Sequence, residues 1–102
     1  MATLNETVKE VLAWYASGGF DLASYLLSNE TEQVYAVNMI NTSKPRHPLS
    51  SKVIVLVRVV GDCVVIEEDR TDRPVEERLM AAGIPREKII LAYANEAIPQ
   101  TV

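Results

Sequence analysis

Apolar residues recur at helical spacing near the start of the chain, where the polar residues also mark a helix end. Thr3 and Glu6 form a capping-box pattern, in which each side chain accepts a hydrogen bond from the other residue's backbone amide. An apolar stripe follows and continues up to the sequence Ser17-Gly18-Gly19, which stops a helix. Its members are Leu4, Val8, Val11, Leu12 and Tyr15. The pattern predicts an amphipathic first helix with one face to bury.

The middle of the chain has the alternating and β-branched character of strands. Leu22–Ser28 and Gln33–Ile40 flank the polar turn Asn29–Glu32, which predicts a hairpin. Lys52–Val60 is β-branched almost throughout and is therefore predicted to lie at the centre of the sheet. Cys63–Glu68 returns as its antiparallel partner after a tight turn at Gly61 and Asp62. Residues 41–51, which include two prolines, are predicted to form a surface loop.

A second helix is predicted after this hairpin, with clear signals at both ends. Thr71 or Asp72 is the expected N-cap, and Pro74 is expected in the first turn, where its missing amide costs nothing. Gly83 is expected to end the helix in a left-handed conformation, and Pro85 prevents its continuation. Ile89–Tyr93 is then predicted to be a last strand.

These elements follow one another in the order α-β-β-β-β-α-β, with the strands grouped before the second helix. That order favours an α+β fold over an alternating α/β fold. The expectation is a single domain over residues 1–102, with a mainly antiparallel sheet and two helices packed on one face. A sheet of five strands in a chain this short leaves edges to cover, so a homo-oligomer is also expected.

Composition narrows the class of partner. The chain has 102 residues and a net charge of -4, which is the wrong sign for a stand-alone binder of phosphate backbones. Cys63 is the single cysteine, and the start of the chain lacks the features of a signal peptide, so a cytoplasmic location is expected.

One segment, residues 66–93, resembles the signature of the XisI-like family, the fdxN element excision controlling factors. In that family a strand ends in an acidic residue, and an Asp-x-Thr-Glu/Asp sequence begins the helix that follows. The helix ends at Gly-Ile/Val-Pro, and a strand with the pattern Ile-x-Leu comes next. The matching positions are Asp69, Thr71, Asp72, Leu79, Gly83, Ile84, Pro85, Ile89 and Leu91. Upstream, Tyr15-Ala16 and Tyr35 fit the same layout, whereas Asn38-Met39 replaces the family's usual Gly-Trp step and residues 63–66 replace its Lys-Ile-Trp-Ile run.

The resemblance implies a small cytoplasmic regulator of programmed DNA excision during heterocyst development. In that process a separate recombinase cuts and rejoins the DNA, and a companion that looks like a restriction-type nuclease is associated with it. The family supplies no catalytic residue and no cofactor to carry over, so neither is expected here.

The acidic cluster at residues 67–72 has two interpretations. Converging carboxylates could hold a divalent cation or perform acid/base work, as in a small metal-dependent hydrolase. The preferred interpretation is structural, because Asp69, Thr71 and Asp72 are residue types that a turn and a helix N-terminus require. No metal site and no catalytic residue are therefore predicted.

The remaining candidates are a basic loop and two aromatic residues. Lys44, Arg46 and Lys52 surround His47 in the most basic stretch, which could touch a phosphate or an acidic partner. A serine-histidine pair at His47 and an activated thiolate at Cys63 are not favoured, since neither has an orienting group nearby in sequence. The candidate anchors for a protein interface are Trp14, which lies off the centre of the first helix's stripe, and Phe20.

Two functional hypotheses from different classes follow. The leading one is a non-enzymatic regulator that binds a nuclease-like or recombinase protein and masks its basic nucleic-acid-binding face. The alternative is an accessory DNA-binding protein that uses Lys44, Arg46, Lys52 and Arg58.

Overall fold

One five-stranded sheet, with strand order β1-β2-β3-β4-β5, organises the chain in the computed structural model. Residues 3–19, 22–43 and 50–98 are described. The helices are α1 (Leu4–Tyr15) and α2 (Val75–Ala81), and the strands are β1 (Leu22–Asn29), β2 (Val34–Asn41), β3 (Ser51–Val60), β4 (Cys63–Asp69) and β5 (Ile89–Leu91). Short 3₁₀ turns cover Arg86–Lys88 and Ala92–Ala94. The predicted α+β class and element order are confirmed.

Local signals placed the first helix and the central strand correctly. The capping box at the start of α1 is complete, because Thr3 and Glu6 accept from each other's backbone amides. β1 to β4 pair as successive antiparallel neighbours, which puts β3 at the centre of the sheet. β5 pairs parallel with β4, since the chain crosses through α2 between them.

The core lies between the two helices and one face of the sheet. Val8 and Leu12 of α1 and Val75 and Leu79 of α2 are fully buried in the same cluster. The sheet contributes alternate residues of β2, β3 and β4, namely Tyr35, Val37, Val55, Val57, Val59, Val64 and Ile66. Both helices therefore pack on one face, and the other face of the sheet carries no helix in the described part of the chain.

Two β-bulges interrupt the regular alternation of side chains. In the pairing of β2 with β3, Val37 lies opposite Val55 but Asn38 lies opposite Val53, so Ile54 is an extra residue. In the pairing of β3 with β4, Leu56 lies opposite Glu68 but Val57 lies opposite Ile66, so Glu67 is extra. A bulge changes the face of the sheet to which the following side chains point. The two bulges thus decide which charged side chains reach the helix side of the sheet.

The second helix begins differently from the prediction. Pro74, not Thr71 or Asp72, directly precedes the first helical residue, Val75, and it offers no side-chain cap. The cap comes from Asp69, whose Oδ2 accepts from the Val75 amide at 2.9 Å. Pro74 is thus one position outside the first turn, because the intervening loop brings a carboxylate from the end of β4 to the helix.

The end of α2 is as predicted. Gly83 has φ of +101°, a left-handed conformation that costs little without a side chain. The Gly83 amide donates to the Met80 carbonyl at 3.0 Å and the Ile84 amide to the Leu79 carbonyl at 3.1 Å, which is a Schellman motif. The following strand is shorter than predicted: it stops at Leu91, because residues 92–94 turn into a 3₁₀ helix that ends at left-handed Asn95.

No helix within the described ranges is both long enough and apolar enough to cross a lipid bilayer.

Candidate protein-binding site around Trp14

The Asp69 carboxylate holds the connection between β4 and α2 in place. Its Oδ1 accepts from the backbone amide of Thr71 at 3.0 Å and from the Thr71 hydroxyl at 2.7 Å. Its Oδ2 accepts from Val75, as described above. The bulge at Glu67 makes this arrangement possible, because it places Asp69 opposite Val55, whose side chain faces the helices. One carboxylate therefore satisfies three donors and fixes where α2 starts.

A tyrosine at the end of α1 also binds the connection between β4 and α2. The Tyr15 hydroxyl donates to the carbonyl of Arg73 at 2.5 Å, and its ring is almost wholly buried. Burial, with a smaller contribution from the nearby negative charge of Asp69, raises the pKa of Tyr15 from 10.0 to about 12. The phenol is thus kept neutral, and the loop carrying Arg73 is tied to the end of α1.

A depression of about 420 Å³ lies where the end of α1, the strands β2 and β3, and the β4–α2 connection meet. We call it the basic cleft. Its charged lining residues are Lys52, Arg70, Arg73 and Asp72, so cationic groups outnumber the carboxylate. Its floor includes the apolar side chains of Met39 and Ile54 and the rings of Trp14 and Tyr15.

Two of the cations in the basic cleft are available to a ligand. Arg70 pairs with Glu68 at 2.6 Å. Neither Lys52 nor Arg73 pairs with a carboxylate in the described part of the chain. An acidic group entering the cleft would therefore gain ion pairs without breaking any that involve these two side chains.

Trp14 lines the basic cleft, and three neighbouring side chains contact its ring. The Arg78 guanidinium lies 3.5 Å from the ring centroid, and that of Arg73 lies 5.6 Å away. The Tyr15 ring meets the indole edge-to-face at 5.0 Å between centroids. The indole nevertheless remains 43% exposed. A large aromatic group that is already ordered loses little entropy on binding, which is typical of interface hot spots.

The other side of Trp14 borders a second depression, of about 540 Å³, between the two helices. We call it the helix groove. Val11 of α1 and Ala81 and Ala82 at the end of α2 are among its apolar lining residues. Its charged lining residues are Glu10, Glu77 and Arg78, so the carboxylates outnumber the single cation. Neither of these two glutamates has an ion-pair partner among the described residues. Trp14 thus stands between a basic and an acid-edged depression.

The structure brings together two of the predicted interface residues, Trp14 and Lys52. The others, Phe20, Lys44 and Arg46, lie outside the described residues, as does His47.

Arg58 does not join Lys52, although the accessory DNA-binding hypothesis grouped them. Lys52 lies on the helix side with Ile54, whereas Arg58 lies opposite Val65, a residue outside the core cluster, and pairs with Glu67 at 2.6 Å. The bulge at Ile54 is the physical reason, because it reverses the alternation between the two positions.

The acidic cluster is dispersed among different partners. Glu67 pairs with Arg58, Glu68 pairs with Arg70, and Asp69 caps α2. The described ranges contain no group of three or more His, Cys, Asp or Glu side chains that could hold a metal ion. This geometry favours the structural interpretation of the cluster over a hydrolase centre.

Cys63 has no activating surroundings. Burial, followed by the neighbouring Asp62 carboxylate, raises the pKa of its thiol. The Sγ atom donates to Asp62 Oδ1 at 3.6 Å. The thiol is therefore protonated at neutral pH, as expected for a structural cysteine.

Several residues of the site were missed by the sequence analysis. Arg70 was considered only as part of the acidic cluster at residues 67–72, and no role was predicted for Arg73 or Arg78. Met39 and Ile54 were predicted only to be strand residues. The only signal was the clustering of arginines around the start of α2, and nothing in the sequence related them to Trp14, some sixty residues away.

The sequence matches the model of the XisI protein family over residues 1–102. The chain belongs to the XisI family. Its fold is also similar to that of a XisI-like protein from Anabaena variabilis ATCC 29413, with a TM-score of 0.73 and 22% identity, covering 85% of this chain and 81% of that one. The fdxN element excision controlling factor XisI from the same organism gives a TM-score of 0.66 at 20% identity, covering 87% and 88%. No curated protein sequence matches this chain significantly.

The positions on which the sequence resemblance rests serve mainly to dock α2. Leu79, Ile84 and Ile89 are buried in the core, and Leu91 packs against it. Asp69, Thr71 and Gly83 shape the ends of the helix, and Pro85 precedes the 3₁₀ turn. Asp72 is the exception, because it lines the basic cleft without a bonded partner among the described residues. The departure at Asn38-Met39 also falls here, since Met39 forms part of the cleft floor.

Replacing Asp69 with asparagine should destabilise the protein by about 2 kcal/mol, because the new amide donor faces backbone or hydroxyl donors that the carboxylate satisfied. Asp72→Asn is the matched control and should change stability by no more than about 0.5 kcal/mol, since Asp72 is exposed and its side chain has no bonded partner within residues 3–19, 22–43 and 50–98. Urea unfolding of both variants measures the difference. Equal stabilities would contradict the role assigned to Asp69.

Alkaline pH should selectively remove the contribution of Tyr15. Its pKa is raised on folding, so its stabilisation is complete below pH 10 and is lost as the pH rises towards about 12. Full loss corresponds to about 3 kcal/mol. Tyr15→Phe cannot ionise, so the advantage of the wild type over this variant should shrink by about 1 kcal/mol or more between about pH 8 and about pH 11. An advantage that stays constant across this range would count against the assignment.

Proposed function

We propose that this chain is a regulatory XisI protein that acts by binding a partner protein, in the manner of a controlling factor for excision of the fdxN element. The partner is nuclease-like or a recombinase, in a process that belongs to heterocyst development. The family match over residues 1–102 and the description of the similar A. variabilis protein as an excision controlling factor support the regulatory role. A cytoplasmic location accords with such a role.

The observation that carries the proposal is the half-exposed indole of Trp14, which has a depression with mainly cationic side chains on one side and one in which carboxylates outnumber the cation on the other. A docked partner would place an apolar side chain beside Trp14. It would also place a carboxylate near Lys52 and Arg73 in the basic cleft, and basic side chains near Glu10 and Glu77 in the helix groove. Oppositely charged neighbours around one aromatic anchor set the orientation of a partner as well as its affinity.

The acidic edge of the helix groove fits the class of partner. A nuclease or recombinase carries a basic face that binds nucleic acid. Glu10 and Glu77 have no ion-pair partner in the described residues, so they are free to meet such a face. Binding there would mask the partner's DNA-contacting groups, which is a direct route to control without catalysis.

Trp14→Ala should weaken binding to a purified nuclease-like companion protein by about 10- to 30-fold, as expected for a hot spot. Met80→Ala is the control, because Met80 is an exposed apolar residue of α2 that lines neither depression. Titration calorimetry on folded variants, checked by thermal melting, measures the effect. Repeated recovery of the wild type alone after co-expression with that companion would contradict the proposal, as would equal affinities of the two variants.

Accessory DNA binding is the competing function, and the observation that favours it is the unpaired state of Lys52 and Arg73 in the basic cleft. This function predicts that a mobility-shift assay detects a complex with DNA at low salt and that the affinity falls steeply as the salt concentration rises. The complex should be lost in the Lys52→Glu and Arg73→Glu variants. Glu10→Lys would strengthen such a complex but weaken binding to a basic protein face. The two functions therefore predict opposite effects for one substitution.

A further inference from the structure

The outer edge of β1 lacks the devices that normally protect an edge strand. Leu22–Asn29 contains no charged residue and no proline, and its register with β2 is uninterrupted over all eight positions. Tyr25 and Leu27, which share one face of this strand, are 54% and 50% exposed. A long, flat and apolar edge of this kind pairs readily with another strand.

The opposite edge of the same sheet is blunted. β5 has only three residues and passes directly into the 3₁₀ turn Ala92–Ala94. Beyond it, the Glu96 carboxylate accepts from the Leu91 amide at 2.8 Å and is itself held by Arg86 at 3.0 Å. Within the described residues one edge of the sheet is closed and the other is open, which indicates that β1 is the edge where a strand can be added.

The free backbone groups of β1 can be located from its neighbours. Leu22 exchanges both of its backbone hydrogen bonds with Gly19, at 3.1 Å each, and therefore does not bond to β2. In an antiparallel pair, inward-bonding and outward-pointing residues alternate. The residues that point outward are then Ser24, Leu26 and Ser28, and their outward groups have no backbone partner in the described part of the chain.

We propose that β1 pairs antiparallel with β1 of a second copy of this chain, about a two-fold axis that passes beside Leu26. Leu26 then lies opposite itself, and Ser24 lies opposite the partner's Ser28. These pairs exchange about six backbone hydrogen bonds across the axis. The free segment is bounded by Gly19 at Leu22 and by the turn that follows Asn29, and Leu26 is close to its midpoint.

Side-chain complementarity identifies the occupant as a second copy. About this axis, each Tyr25 lies opposite the partner's Leu27, which gives two aromatic–aliphatic pairs on the exposed face of the strands. Because the strand carries no charge, no side chain meets a like charge across the axis, although the whole chain carries a net charge of -4.

The proposed assembly also closes on itself. Two copies form one continuous sheet that ends in the blunted β5 strand on both sides, so no open edge remains to recruit further chains. Residues 24–28 line neither the basic cleft nor the helix groove. This inference is therefore independent of the proposed function, and either can fail without the other.

Light scattering coupled to size exclusion should give twice the chain mass of 11.3 kDa at tens of micromolar protein. A wild type that remains monomeric at the highest accessible concentration would overturn the proposal. This holds even if the edge of β1 pairs with a strand of another protein.

A pair of double variants tests the register. Tyr25→Lys with Leu27→Lys places two lysine pairs across the axis and should give a monomer. Tyr25→Lys with Leu27→Glu places each lysine opposite the partner's glutamate and should remain a dimer. Thermal melting verifies that both are folded, which is expected because the replaced side chains are half exposed. Equal masses for the two variants, whether monomeric or dimeric, would overturn the Leu26-centred arrangement.

Amide hydrogen exchange of the wild type gives a measurement that needs no variant. The amides of Ser24, Leu26 and Ser28 should be protected at dimer-forming concentrations and should exchange faster after dilution. Those of Tyr25 and Leu27, which bond to β2, should change much less. Fast exchange of the three amides at all concentrations would overturn the proposal.

Discussion

The carboxylate of Asp69 is the interaction on which the position of α2, and with it the candidate site, depends. Its three accepted hydrogen bonds order the turn at Thr71 and begin the helix at Val75. A carboxylate is well suited to this place because it satisfies several backbone donors while it complements the positive end of the helix. Once α2 starts there, Arg78 comes to lie over Trp14, and Tyr15 reaches the carbonyl of Arg73. The basic cleft is thus a consequence of how one helix is attached to the sheet.

The elements that could be predicted from the sequence are those whose determinants are local. The capping box at Thr3, the β-branched run of β3 and the stop at Gly83 each lie within a few residues of the structure they specify. The two bulges could not be predicted, because a bulge is a property of the register between two strands and that register is set by pairing across the sheet. The errors follow from this. Without the bulge at Ile54, Arg58 would share a face with Lys52. The bulge at Glu67 turns Asp69 towards α2, so the cap comes from the end of β4 and not from the residue next to the helix.

The same distinction separates the XisI signature from the candidate site. Most signature residues bury apolar groups or shape the ends of α2, so the signature specifies a fold and the position of a helix. The groups that could recognise a partner, above all Trp14, Lys52 and Arg73, lie outside the signature or between its positions. Residues 66–93 therefore specify mainly how α2 is attached, whereas the candidate site also requires α1 and the start of β3, which lie beside that segment.

The charges that a partner would meet on this molecule are those that are not already neutralised in ion pairs. Glu67, Glu68 and Glu96 are held by arginines, so they contribute little to the field that a partner meets. Among the described residues, the cations without an ion pair are Lys52 and Arg73, which line the basic cleft, and Arg78, which lies over Trp14 and lines the helix groove. Glu10 and Glu77 have no ion-pair partner among these residues either, and they give the helix groove its excess of carboxylates. A net charge of -4 thus conceals a surface with opposite signs on the two sides of Trp14. A partner that neutralised both sides at once would need charges of both signs around one apolar contact, whereas a uniformly charged polymer would neutralise only one side.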